Sequence, residues 1–204
     1  MGLLKEHQNL KSYQKILRPC VLKIFIKSVD KLIFLGMPEY ESAKEKYPKY
    51  SDKFEFIPFA IDFQFWSDEG SYKNEILESK QILFVGNDGN RNYEFVKKLP
   101  EHLTEFNFKF ITEQILSNEN LKNIELINGN WSKAVVNDIK MRDYYKESFL
   151  TILPIKNTIQ PSGQSVTLQS LAVGTPILIS NFDGFWDPSR FSNNENIFFI
   201  DSFD

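Results

Sequence analysis

The sequence predicts an α/β fold: a Rossmann-like parallel sheet with helices on both faces, preceded by a partial second Rossmann-like domain at the N-terminus. Three observations predict it. From Gln81 onward, apolar runs of strand length alternate with segments of helical periodicity. The connections between them are short, as a parallel sheet with covering helices requires. A polar stretch, Ser67-Asp68-Glu69-Gly70-Ser71 through Lys80, separates this series from an earlier helix–strand–helix–strand series. The expected organisation is a remnant domain over 1–66, a linker over 67–80 and a C-terminal domain over 81–204.

The elements follow in order. Pro19 suits the first turn of a helix, and Leu22, Ile26 and Val29 follow at helical spacing. Lys31–Gly36 is a short apolar run closed by glycine, the pattern of a buried strand. Pro38 opens a polar helix through Ala43 toward Lys46. Phe54-Glu55-Phe56-Ile57 is a second strand, ended by Pro58. In the C-terminal series Ile82–Val85 reads as a buried strand. Phe95, Val96 and Leu99 mark the inner face of a helix that Pro100 terminates. Strands follow at Phe106–Ile111, Ile124–Ile127, Phe149–Leu153, Pro176–Ile179 and Ile197–Ile200, with helices near Val135–Tyr145 and Val166–Val173. In the last helix Leu168, Leu171 and Ala172 share a face, and Gly174 supplies the stop.

Composition excludes several classes of function. The chain has 204 residues, 42% of them hydrophobic, with 19 Phe, 8 Tyr and 3 Trp, too apolar and aromatic for a disordered segment. A net charge of −3 provides no global basic field for nucleic acid. Cys20 is the single cysteine, which excludes an internal disulfide framework and fits a reducing compartment. His7 and His102 are too few for a histidine-rich metal centre, and no metal is expected. No stretch approaches the ~20 apolar residues of a membrane span, and the start lacks the apolar core of a signal peptide. The expected location is cytoplasmic. Lys5, Lys11, Lys15, Lys23, Lys27 and Lys31, interleaved with leucine and isoleucine, suit a peripheral place at the cytoplasmic membrane face. An ordinary solvated helix face is the reading the sequence favours.

Two strand-to-helix turns carry candidate chemistry, since ligands of such sheets bind where strand ends meet helix N-termini. In Gly86-Asn87-Asp88-Gly89-Asn90-Arg91-Asn92 the glycines permit close backbone approach, and Arg91 offers a bidentate donor set to a phosphate. The plain structural reading is a β-turn with a solvated arginine. In Gln160–Gln169, Ser162, Gly163, Gln164 and Ser165 cluster backbone amides at a helix start, a natural anion site. There the plain reading is capping of the helix by Ser165. Gln169, one turn further in, could reach a sugar hydroxyl.

Taken in order, Phe56–Asp62, then Ile82–Gly86 with Arg91, then Val166-Thr167-Leu168-Gln169-Ser170-Leu171-Ala172-Val173-Gly174-Thr175-Pro176 resemble the nucleotide-sugar glycosyltransferases of the GT-B fold. The retaining group called family 4 or "group 1" is the nearest in pattern. The resemblance implies a donor-binding C-terminal domain in which Gly86, Arg91, Gly163, Gln164 and Ser165 meet the donor diphosphate. Gln160 and Ser162 would face the donor sugar, and Gln169 the ribose. No catalytic residue is assigned. The implied co-substrate is a nucleoside-diphosphate sugar, with no other cofactor and no metal, and the base would be held by backbone and apolar contacts around Asn128–Asn137.

This sequence departs from the family pattern at both acidic positions. Gln169 stands where the family has a glutamate, and the other glutamate, eight positions earlier, falls on Pro161. A neutral amide makes a weaker contact than a carboxylate, and proline makes no side-chain hydrogen bond. The implied reaction is transfer of a hexose-type sugar to a hydroxyl acceptor with retention. The acceptor would be a glycan, a lipid-linked group or a small molecule. The alternative is a non-catalytic nucleotide-sugar-binding module, or a half-domain assembling with a separate chain that supplies the acceptor domain. Family members are roughly twice as long, so the sequence reads as a fragment, truncated at its end.

Overall fold

The computed structural model of the chain describes residues 12–67, 80–115, 122–133 and 135–201. The expected linker lies outside the described residues except for Ser67 and Lys80, as do Lys5, His7 and Lys11. The chain divides into two compact units, Met1–Phe59 with Asn157–Ser162 and Phe182–Arg190, and Ala60–Lys156 with Gly163–Asn181 and Phe191–Asp204.

In the first unit, helix α1 (Ser12–Ser28), strand β1 (Leu32–Phe34), helix α2 (Met37–Lys46) and strand β2 (Phe54–Phe56) follow in order. The strands pair in parallel, Leu32 opposite Phe54 and Phe34 opposite Phe56. Ile26, Phe34, Ala43 and Phe54 form the core, ringed by Tyr40, Tyr47 and Tyr50. Pro19 does not start α1, as its N1 preference suggests; the helix begins at Ser12 and runs through it. Tertiary anchoring outweighs the one backbone donor that proline removes. Ile26 is fully buried, and the Lys53 ammonium donates to the carbonyls of Ile26, Lys27 and Val29 at 3.4, 3.0 and 2.6 Å, closing the C-terminal end.

The second unit contains α3 (Phe63–Trp66), β3 (Gln81–Val85), α4 (Tyr93–His102), β4 (Asn107–Ile111) and β5 (Ile124–Ile127). It continues with α5 (Asp138–Lys146), β6 (Leu150–Leu153), α6 (Gln164–Val173), β7 (Ile177–Ser180) and β8 (Phe198–Ile200). All six strands are parallel, in the order β5-β4-β3-β6-β7-β8. The expected Rossmann-like sheet is present. The chain winds outward from β3 to one edge, returns to β6 beside β3, and winds outward again. That reversal leaves a crevice beyond the carboxyl ends of β3 and β6. Ile82, Leu83, Phe84 and Val85 are all buried, which is why β3 reads as an unbroken apolar run rather than an alternating one.

Two helix details differ from expectation. Pro100 does not terminate α4, which continues to His102. In the last turn the missing proline N–H forfeits a single bond, and Leu103 N–H closes onto Leu99 O at 2.9 Å. In α6 the buried positions are Val166, Thr167, Ser170 and Val173, while Leu168, Leu171 and Ala172 are only half-buried. Ser170 can face the sheet because it is satisfied, its Oγ bonding Thr151 Oγ1 at 2.8 Å and Thr175 O at 3.0 Å, whereas the buried Thr167 Oγ1 has no hydrogen-bond partner among the described residues. Gly174 ends α6 as expected, left-handed at φ 93°. Among the described residues no helix is long and apolar enough to cross a membrane.

Candidate functional site

A cleft of about 620 Å³ opens beyond the ends of β3 and β6. Its first wall is the turn after β3. A Cβ on Gly86 would lie 2.7 Å from Arg91 Nε, so only glycine lets the arginine fold back beneath the strand end. Arg91 is 3% exposed, not the solvated turn residue of the plain reading. Its Nη1 stands 3.0 Å from Asp88 Oδ2. Burial lowers the guanidinium's pKa, and Asp88 opposes the shift. The segment is fastened to the strand end after β6: Arg91 bridges Ile155, Asn92 N–H donates to Pro154 O at 2.8 Å, and Lys156 N–H to Asn90 O at 2.8 Å.

Asn87 ties the same turn to its other neighbours. Its amide nitrogen donates to Gly129 O at 2.6 Å and its side-chain oxygen accepts from Glu113 N–H at 2.7 Å. Tyr93 donates to Asp88 O at 2.8 Å, and its phenol is pushed up to about 12, mainly by burial and further by Asp88.

The second wall is the start of α6. Its N-cap is Gly163, left-handed at φ 78°. A Cβ there would stand 3.1 Å from Ile155 Cδ1 and 3.2 Å from Leu153 Cδ1. Ser165 lies inside the helix and does not cap it; the N-cap glycine brings no side-chain acceptor. The helix therefore starts on glycine backbone, and its first turns border the cleft through Ser165, Val166 and Gln169.

Helix α5 forms the third wall. Asn137 caps it, accepting from Lys140 N–H at 2.9 Å, and Asp138, Met141 and Tyr145 face the cleft beside Val136. Tyr145 is fully buried, and that burial pushes its phenol upward. It donates to Gln169 Oε1 at 3.3 Å. Its backbone carbonyl accepts from Thr175 Oγ1 at 2.6 Å, and its ring packs edge-on against Trp66 at 6.2 Å.

Gly86, Arg91, Ser165 and Gln169 line this one cleft. Gly163 and Gln164 stand at the helix start, off its lining. Gln160 and Ser162 belong to the other compact unit, where the neighbouring Pro161 packs on Gly36. Within the expected base-contacting stretch, Val136 lines the cleft. Sequence reasoning missed Asn87, Asp138, Met141 and Tyr145. Met141 and Tyr145 do share the i, i+4 spacing that places both on one face of α5. Among the described residues no group of three or more His, Cys, Asp or Glu side chains is arranged to hold a metal ion.

No family model and no curated protein matches the chain. Solved structures do. A glycosyltransferase from Rickettsia africae superposes with a TM-score of 0.60 at 15% identity, covering 96% of this chain and 54% of that one. The catalytic domain of starch synthase IV from Arabidopsis thaliana, bound to ADP and acarbose, gives 0.59 at 12%, covering 88% and 46%. HepE from Anabaena in complex with UDP gives 0.61 at 7%, covering 98% and 56%. The chain spans about half the length of these structures. At such identities the likeness is one of fold, and the fold is that of the GT-B glycosyltransferases.

Proposed function

We propose that the cleft binds a nucleoside-diphosphate sugar, and that the protein transfers a hexose-type sugar from it to a hydroxyl acceptor with retention. The observation that carries this reading is the convergence, at the sheet's crossover, of the glycine-started helix α6 with the buried Arg91. A helix N-terminus that starts on glycine and a guanidinium together suit a diphosphate. In the reaction the bond from the anomeric carbon to the diphosphate oxygen breaks, its electron pair leaves with the diphosphate, and the acceptor oxygen bonds the anomeric carbon and passes its proton to the departing diphosphate. Preorganised donors would stabilise the developing diphosphate charge, and the scheme contains no metal. Gly86 would allow close approach, Val136 and Met141 would take the base, and Gln169 the ribose. The sugar-facing roles of Gln160 and Ser162 rest on the resemblance alone. That starch synthase IV was crystallised with ADP, and HepE with UDP, supports a nucleotide as ligand.

A second reading keeps the binding and drops the turnover: a nucleotide-sugar module, or a half that assembles with a separate acceptor-domain chain. Gln169 and Pro161, replacing two carboxylates of the resembled pattern, favour it. Titration with UDP, ADP, GDP and their sugars at ~1 mM tests both, since a ligand of the native state raises the melting temperature. Binding with slow donor hydrolysis supports the enzyme, and binding without it supports the module. No shift with any of them removes the donor site.

A further inference from the structure

Three residues of helix α5 line the cleft: Asp138, Met141 and Tyr145. They recur at i, i+3 and i+7, one face of the helix, and mark out ~10 Å of its length. Tyr145, at one end, holds the Gln169 amide at 3.3 Å, the side chain assigned to the ribose. Met141, in the middle, is buried, and so is Val136 in the same lining, which makes an apolar slot for a ring. Asp138, at the far end, is exposed in the first turn. Its carboxylate makes no hydrogen bond or ion pair among the described residues. Asn137 already caps the helix by accepting from Lys140 N–H at 2.9 Å, so capping does not occupy Asp138. The other carboxylate of the lining, Asp88, is taken up by Arg91 at 3.0 Å and by Asn90 N–H at 2.8 Å.

We propose that Asp138 selects guanine, so that the sugar nucleotide of this cleft is a guanosine-diphosphate sugar. The inference rests on the nucleotide reading of the cleft given above and adds the base to it. With the ribose at Gln169 and the ring against Met141 and Val136, the far edge of the base meets the Asp138 end of the face. A carboxylate there accepts through two oxygens and donates nothing. Guanine presents two donors side by side on that edge, N1–H and the N2 amino group, and satisfies both oxygens at once. Uracil presents one N–H between two carbonyl oxygens, which a carboxylate repels. Adenine sets its amino group beside the N1 lone pair, so one carboxylate oxygen faces another acceptor. Length argues the same way, because the fused rings of a purine carry its edge further along α5 than a single pyrimidine ring.

Calorimetric titration of the full chain with GDP, IDP, ADP and UDP tests it. A ratio of two dissociation constants cancels the share of the common diphosphate and leaves that of the base. GDP should bind about tenfold more tightly than UDP or ADP, the lower end of what one bidentate pair contributes to base discrimination. It should also bind severalfold more tightly than IDP, which lacks only the N2 amino group. Asp138→Asn exchanges one acceptor oxygen for a donor nitrogen at an exposed position. The GDP preference over both UDP and IDP should then collapse, while UDP binding holds or improves and so reports a folded cleft. A role confined to the helix dipole would move all four nucleotides together and leave their ratios unchanged, and that result overturns the assignment of Asp138. UDP or ADP binding as tightly as GDP overturns the choice of guanine and leaves the nucleotide reading of the cleft standing. Absence of binding by any of the four overturns both.

Discussion

Asp88 and Arg91 form an unequal pair: their charges meet at 3.0 Å, but the arginine side chain is 4% exposed and the aspartate 47%. The guanidinium is thus part of the interior, while its carboxylate partner stands in the cleft mouth. Asp88 occupies, for Arg91, the position that a ligand phosphate would contest.

Arg91→Ala therefore acts on the fold as well as on the ligand. It removes a buried side chain and leaves Asp88 without this charge partner. The expected cost is about 2–3 kcal/mol of unfolding free energy, below that of a fully buried pair because Asp88 is half in water. Chemical denaturation measures it. Donor affinity should fall by roughly 1.5–3 kcal/mol in the same variant. A variant as stable as the parent contradicts the burial of Arg91.

Asp88→Asn separates the two roles. The substitution keeps an oxygen for the Asn90 N–H that Asp88 now accepts at 2.8 Å, and removes the negative charge. Diphosphate affinity should rise by about 1 kcal/mol as a like charge leaves the cleft, while unfolding free energy falls by about 2–3 kcal/mol because the buried Arg91 guanidinium loses its charge partner at 3.0 Å. Calorimetric titration with UDP decides it, and unchanged or weaker binding means that Asp88 does not compete.

Gly163→Ala tests the start of α6. A Cβ meets left-handed backbone at φ 78° and two methyl groups at 3.1 and 3.2 Å. A loss of about 1–3 kcal/mol is expected, and thermal unfolding reads it. An unshifted melting temperature would show that the turn relaxes freely.

Glu39 gives the stability a pH dependence. It is 8% exposed in the first turn of α2, and burial holds its carboxyl above the ordinary value of 4.5. The unfolded chain thus loses this proton at lower pH than the folded one, so the contribution of Glu39 to stability is fully present below 4.5 and is lost as pH rises through the raised value. Glu39→Gln should melt above the parent at pH 7, by a few degrees, with the gap closing as pH drops toward 4.5. A gap constant across that range assigns the difference to something other than the charge.

What the sequence disclosed follows from how local each signal is. β3 was legible because Ile82–Val85 is buried on both faces and needs no alternation, and the end of α6 because Gly174 serves a backbone conformation that few other residues adopt. Pro19 and Pro100 misled, because proline's cost is local and these helices are held by contacts made elsewhere along them, at Ile26 and Leu99. In the site, Gly86 and Arg91 were found as a motif, but the burial of Arg91 depends on Ile155, more than sixty residues away. Tyr145 went unread because nothing beside it in sequence announces its contact with Gln169.

That contact shapes the last prediction. Tyr145 donates to Gln169 Oε1 at 3.3 Å, and a phenol at 0% exposure, with burial opposing its ionisation, keeps its proton to donate. The amide oxygen is thereby partly engaged, keeping one further lone pair, and the amide nitrogen is a donor only. A carboxylate at 169 would keep one oxygen for Tyr145 and turn the other to the ribose as a charged acceptor. Gln169→Glu should therefore tighten nucleoside-diphosphate binding by about 1 kcal/mol, whereas Gln169→Leu should weaken it by a similar amount and leave Tyr145 without that acceptor. Tyr145→Phe distinguishes positioning from mere packing. It keeps the edge-on ring against Trp66 but frees the amide to turn, so the gain from Gln169→Glu should shrink when the two substitutions are combined. Calorimetric titration of the three single variants and the double variant measures that coupling. Equal effects of Gln169→Glu in the Tyr145 and Phe backgrounds would show that the phenol does not orient the side chain, and unchanged dissociation constants throughout would remove Gln169 from the site.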